Sequence, residues 1–167
     1  VERYNSEVVY VLEAESDGPN NDNEVDLYYT SDGILIRSIV NGAEPNYKPI
    51  ILGESITTYL TENYPAAVII DIASSTGITE VDIMDGTTLR EIYFDGKEAW
   101  LMTESRITVA ELPEIVIETI AASQYAAWEI TQAEYVENPN GAYYQVILTG
   151  EGGQETMKIN IEGRILQ

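Results

Sequence analysis

Asp17-Gly18-Pro19-Asn20-Asn21-Asp22-Asn23-Glu24-Val25-Asp26 gathers four carboxylates and three amide carbonyls in one stretch. Calcium takes roughly six to eight hard oxygen ligands on a flexible loop, and this stretch has that chemistry. Its spacing is not that of an EF-hand, which needs alternate acids, a central glycine and a distal glutamate. Asp17, Asp22, Glu24 and Asp26 are therefore the candidate calcium ligands. The same residues also make an ordinary solvated hairpin loop, because Asp, Asn, Gly and Pro are the usual turn formers. The sequence leaves both readings open.

A second set of acids follows strand periodicity. In Glu24-Val25-Asp26-Leu27 and Glu80-Val81-Asp82-Ile83, acids alternate with apolar residues. Val25, Leu27, Val81 and Ile83 are expected to face the helices and the acids to face outward. The outward acids suit a cation, a basic partner or simply the wet side of a sheet. By the same alternation Tyr28, Tyr93 and Tyr143 fall on the outward phase, with Trp100 beside them. Aromatic anchors in a polar rim describe a protein-binding patch. Cross-strand packing of the rings is the plainer alternative.

Several chemistries are excluded. The chain has no histidine and no cysteine. Histidine-assisted nucleophilic catalysis, disulfides and thiolate metal sites are therefore ruled out. Paired carboxylates alone could hydrolyse a glycoside. With 29 acidic residues, however, some pair always looks suitable. Gly150-Glu151-Gly152-Gly153 lacks a lysine and reads as a turn between strands, not a phosphate loop. No enzymatic activity and no cofactor other than calcium is expected. The net charge of −21 repels phosphate backbones and anionic surfaces, so nucleic acid is an unsuitable partner and a basic protein a suitable one. No apolar run reaches the roughly 20 residues that span a bilayer. A leader or lipid-anchoring cysteine, if the protein is exported, is expected to lie outside this mature sequence.

The elements that would position these residues repeat. Residues 51–56 through 66–70 overlay residues 111–116 through 126–130 without a gap, at a shift of 60. Leu112-Pro113-Glu114 opens a helix, with proline in the first turn and an acid at the positive end of the dipole. Its apolar stripe is Leu112, Val116, Ile120 and Gln124, with Ile117 and Ala121 beside it. The equivalent stripe is Leu52, Ile56 and Leu60, flanked by Tyr59 and Tyr64, and Pro65 stops that helix. After each helix the period shortens to 2, running unbroken through Val68, Ile70 and Ile72 in one copy and Trp128 and Ile130 in the other. Further strands are expected at Thr79–Met84, Thr88–Phe94 and Lys97–Thr103, then at Tyr143–Leu148, Glu155–Ile161 and Arg164–Gln167. Asp-Gly and Glu-Gly turns join most of them.

The first 48 residues read as a degenerate unit of strands without a helix. Glu24–Leu27 matches Glu80–Ile83, Asp32-Gly33 matches Asp85-Gly86, and Val8–Glu15 is the strand before them. The expected division is 1–48, 49–108 and 109–167.

Leu112-Pro113-Glu114, the short amphipathic helix, its Tyr-Pro-Ala or Tyr-Ala-Ala end and the strands that follow resemble the PepSY-like group of exported Bacteroides-type proteins. The resemblance is good over residues 50–167 and loose before. It implies a fold like beta-lactamase inhibitor protein and a periplasmic or surface-anchored, lipoprotein-type binding protein. Some members of the group have been described as calcium-regulated. The expectation is an α+β fold of tandem units, each a helix and a four-stranded antiparallel meander, with the helices on one sheet face. The leading function is non-enzymatic recognition of a protein or peptide by the other face. A calcium-responsive protein and a structural spacer are the alternatives.

Overall fold

The structure, a computed structural model, describes residues 2–4, 7–16, 23–40, 43 and 49–166. It is α+β. Strands β1 (Glu2–Tyr4), β2 (Glu7–Ser16), β3 (Asn23–Thr30) and β4 (Leu35–Val40) come first. Helix α1 (Glu54–Asn63) is followed by β5 (Val68–Ser75), β6 (Ile78–Asp85), β7 (Thr88–Asp95) and β8 (Trp100–Ile107). A 3-10 turn (Val109–Glu111) leads into α2 (Glu114–Ala121), then β9 (Glu129–Asn138), β10 (Gly141–Gly150), β11 (Gly153–Asn160) and β12 (Ile165–Leu166). Strands β1–β4 form one sheet and β5–β12 another, each in chain order. The chain forms two compact units, Val1–Gly86 with Phe94–Ala99, and Thr87–Tyr93 with Trp100–Gln167.

In the first unit α1 buries Ile56 and Leu60, as the stripe requires. Tyr59 meets Phe94 edge-on at 5.4 Å. Gly53 at the helix start has no side chain to cap it. Glu98 does so from a distant turn, accepting the Ser55 N–H at 3.2 Å. An anion there offsets the orphan donors and the helix dipole. Val81 and Ile83 are buried as expected. The period of β5 is broken at Ile70 by a bulge, since Ile69 pairs with Ile83 and Asp71 with Asp82. A bulge adds one residue and resets the phase. Val68 and Ile70 are consequently exposed while Ile72 is buried.

In the second unit Leu112, Val116 and Ile120 pack on Ala133, Val146, Leu148, Met157 and Ile159. Pro113 is the N-cap, so α2 starts one residue later than proline at the first helical position would give, and it ends at Ala121. Ile117 is exposed and Gln124 lies beyond the helix. The Trp128 indole lies over Gly150, where an added Cβ would sit 2.7 Å from three ring atoms.

Three turns close alike, starting at Thr30, Asp95 and Asn160, each 65 residues from the next. In each the first backbone N–H donates to the carbonyl four residues on, at 2.8, 2.9 and 2.9 Å. The side-chain oxygen of the first residue accepts the N–H of that same fourth residue, at 3.0, 2.9 and 2.8 Å. The residue before it is left-handed: Gly33, Glu98 and Gly163, at φ 84, 64 and 81°. These bonds explain why β8 begins at Trp100 and not at Lys97, because the Asp95 carboxylate takes the Lys97 and Ala99 N–H groups. They also shift the expected alignment of the first residues. Asp32-Gly33 belongs to a turn bonded like those that start at Asp95 and Asn160, not to a two-residue turn like Asp85-Gly86 between β6 and β7.

Candidate protein-binding face

The second unit presents one sheet face to α2 and one away from it. Alternation from Ala133, Val146 and Met157 puts Glu134 and Val136 of β9, Tyr143 and Gln145 of β10, and Lys158 of β11 on the far face. On β8, Arg106 lies opposite Glu134 and Glu104 opposite Val136. Tyr93 and Glu91, two apart on β7, share a side, and the Tyr93 hydroxyl donates to Glu91 at 3.0 Å.

These groups form a chain across the strands. Arg106 approaches Glu91 at 4.0 Å. Gln145 Nε2 donates to Glu134 at 2.9 Å. Lys158 lies opposite Gln145, and its Nζ sits 5.3 Å from the Tyr143 ring centroid. Such a cation–π contact is worth about 0.5–1 kcal/mol at an exposed site. Arg106 is 65 % exposed, so its ion pair is screened and contributes little stability. The face nevertheless has a dry centre: Val136, between Tyr143 and Glu104, is fully buried. Glu91, Glu104 and Glu134 against Arg106 and Lys158 make its charge mixed, unlike the acidic chain as a whole.

Of the expected partner-binding residues, Tyr93 and Tyr143 belong to this face. Trp100 begins β8 in phase with Glu104, and its indole N–H donates to the buried Thr103 hydroxyl at 3.0 Å. Tyr28 belongs to the first unit, on β3 opposite Val11 and Arg37. The sequence reading overlooked Arg106, Glu134, Val136, Gln145 and Lys158. Counting by twos from Val146 and Met157 would have found them.

Tyr135 and Tyr144, on the α2 side, lie 5.1 Å apart. Burial, then the nearby Glu137 and Tyr144, raises the Tyr135 hydroxyl above the usual phenol range, so it stays protonated.

The carboxylate candidates separate. Asp17 and Asp22 lie outside the described residues. Glu24 stands opposite Glu15 and Asp26 opposite Glu13 on the β2–β3 pair. Asp82 faces Asp71, which is bonded to the Arg37 guanidinium, so the cation for that pair comes from β4. Glu80 lies opposite Ala73. Among the described residues no group of three or more acids is arranged to hold a metal ion, and no helix is long and apolar enough to cross a membrane.

Residues 77–167 match the family model for beta-lactamase-inhibitor-like, PepSY-like proteins. The chain belongs to this family. Its fold is shared with a BLIP-like protein from Bacteroides fragilis, at TM-score 0.65 and 23 % identity over 74 % of this chain and 88 % of that one. A DUF2874 family protein from Bacteroides uniformis gives 0.63 and 19 % over 70 % and 88 %. A Bacteroides eggerthii protein provisionally described as periplasmic gives 0.63 and 17 % over 71 % and 88 %. At these identities the likeness is one of fold. No match was found among curated proteins.

Proposed function

We propose that the protein is a non-enzymatic, exported binding module that recognises a protein or peptide through the far face of its second unit. The observation that carries this reading is the chain of Tyr93, Glu91, Arg106, Glu134, Gln145, Lys158 and Tyr143 around the buried Val136. Aromatic anchors around a dry centre, rimmed by paired charges, are what protein interfaces use. Family membership supports a binding role, and the periplasmic description of a structural neighbour supports export. The 65-residue spacing of the three turns supports tandem units. With two cations on the face, the partner carries acids as well as bases. The test is co-purification from the native cell envelope with wild type and with Tyr93→Ala/Tyr143→Ala. The same partner should be recovered with wild type and reduced at least tenfold with the double variant. Equal recovery would refute the assignment.

A calcium-responsive role is the second reading. Glu13 opposite Asp26 puts like charges face to face, an arrangement that costs stability unless a cation intervenes. Saturable thermal stabilisation by calcium, absent with magnesium at equal ionic strength, is the expected result. Equal stabilisation by both would refute it.

A further inference from the structure

A polar pocket lies in the second unit on the α2 side of the sheet, the side away from Tyr143. It is lined by a row of residues that crosses neighbouring strands: Arg90 of β7, Ser105 of β8, Tyr135 of β9 and Tyr144 of β10. Ser105 stands opposite Tyr135, and Tyr135 opposite Tyr144. Glu111 of the 3-10 turn also lines the pocket, whose volume is about 220 Å³. Arg90 Nη1 donates to the Oγ of the buried Ser105 at 2.6 Å. Among the described residues the Ser105 hydroxyl proton has no acceptor, and the Tyr135 and Tyr144 hydroxyls have no hydrogen-bond partner.

These groups narrow the ligand. Arg90 carries a positive charge at any ordinary pH. Glu111 carries a negative one, because the Thr108 backbone N–H and then the Thr108 hydroxyl, each at 2.7 Å, hold its carboxyl below the usual range. Both bonds go to Oε2, which leaves Oε1 as an acceptor. A cation is opposed by Arg90, and an anion by Glu111 and by the net charge of −21. An apolar molecule would bury several hydroxyls without partners, at a cost for each. A neutral sugar ring meets all of these conditions. Each of its hydroxyls both donates and accepts, and its C–H face packs on an aromatic ring. The pocket is smaller than the roughly 300–1,000 Å³ of drug-sized ligand sites, which suits one ring and not a longer chain.

We infer that this pocket binds one neutral pyranose ring. The Ser105, Tyr135 and Tyr144 hydroxyls donate to its oxygens, and Glu111 accepts from one of its hydroxyls. Arg90 orients Ser105 and balances the Glu111 charge. The Tyr135–Tyr144 pair, with ring centroids 5.1 Å apart, supplies the apolar wall. The site does not depend on the Tyr93–Tyr143 face.

The probes are the methyl glycosides of glucose, galactose, mannose and N-acetylglucosamine, with acetate as an anion and acetamide as a neutral amide for comparison. Each is titrated into the full chain and followed by the backbone amide shifts in two-dimensional NMR. The variants are Tyr135→Phe/Tyr144→Phe, which removes two hydroxyls and keeps both rings, and Ile117→Ser on the exposed side of α2. Circular dichroism checks that both are folded. At least one glycoside should saturate in the millimolar range and move the amides of Ser105, Tyr135 and Tyr144 most. Tyr135→Phe/Tyr144→Phe should weaken that binding at least fivefold, and Ile117→Ser should leave it unchanged. Saturation by none of the glycosides, shifts centred elsewhere, or indifference to the double variant overturns the inference. Acetate or acetamide binding as tightly as any glycoside also overturns it and assigns the pocket to a carboxylate or an amide.

Discussion

Gly150→Ala is a sharp test of the packing in the second unit. The added Cβ would lie 2.7 Å from Cδ1, Cδ2 and Cε2 of Trp128, whereas carbon atoms sit comfortably about 3.5–4.0 Å apart. The indole must move about 1 Å, a shift set by that difference. It is not free to do so, being edge-on to Tyr125 at 4.9 Å and packed on the α2 core. Overpacking of this kind costs about 1–3 kcal/mol. Alanine recovers about 0.5–1 kcal/mol that glycine loses in a strand. The net loss should be about 0.5–2 kcal/mol, read from urea denaturation followed by circular dichroism. In a Trp128→Leu background the clash is gone, and the same substitution should be neutral or stabilising. Coupling below about 0.5 kcal/mol between the two sites would refute the steric argument.

Other outcomes follow from the turns and caps. The Ala99 and then the Lys97 backbone N–H groups hold the Asp95 carboxyl below its usual range. Its folded pKa is depressed, so its contribution is present above the unfolded value of 3.8 and is lost as pH falls through the folded one. Asp95→Asn should flatten that part of the acid-denaturation profile; an unchanged profile would show that the bonds do not matter. Glu98→Ala removes the cap on α1 and should cost about 1 kcal/mol. Gly53→Ser, which would collide with Glu98 in the wild type, should recover part of that loss in the Glu98→Ala background. If thermal melts show Gly53→Ser to be harmful in both backgrounds, the capping role is wrong.

The helices and most strands could be read because their signals are local. The stripe of Leu112, Val116 and Ile120 and the alternation around Val81 and Ile83 each report burial directly. The bulge at Ile70 was hidden because a run of isoleucine and valine looks the same in either phase. The late start of β8 was hidden because it depends on a carboxylate capturing two N–H groups, which strand propensity does not encode. Tyr93 and Tyr143 were found by their type and phase. Arg106, Gln145 and Lys158 were passed over because single polar residues on a strand look like ordinary wet-face residues until their cross-strand partners are known. The match of Asp32-Gly33 to Asp85-Gly86 misled because dipeptides do not distinguish a five-residue turn from a two-residue one.

The most direct measurement is site-specific photo-crosslinking in the native cell envelope. A photoreactive phenylalanine derivative would replace Tyr93, Tyr143 or, on the exposed side of α2, Ile117. Binding through the far face predicts one and the same discrete adduct from positions 93 and 143 and none from 117. The same adduct from all three positions, or an adduct from 117 alone, would contradict it.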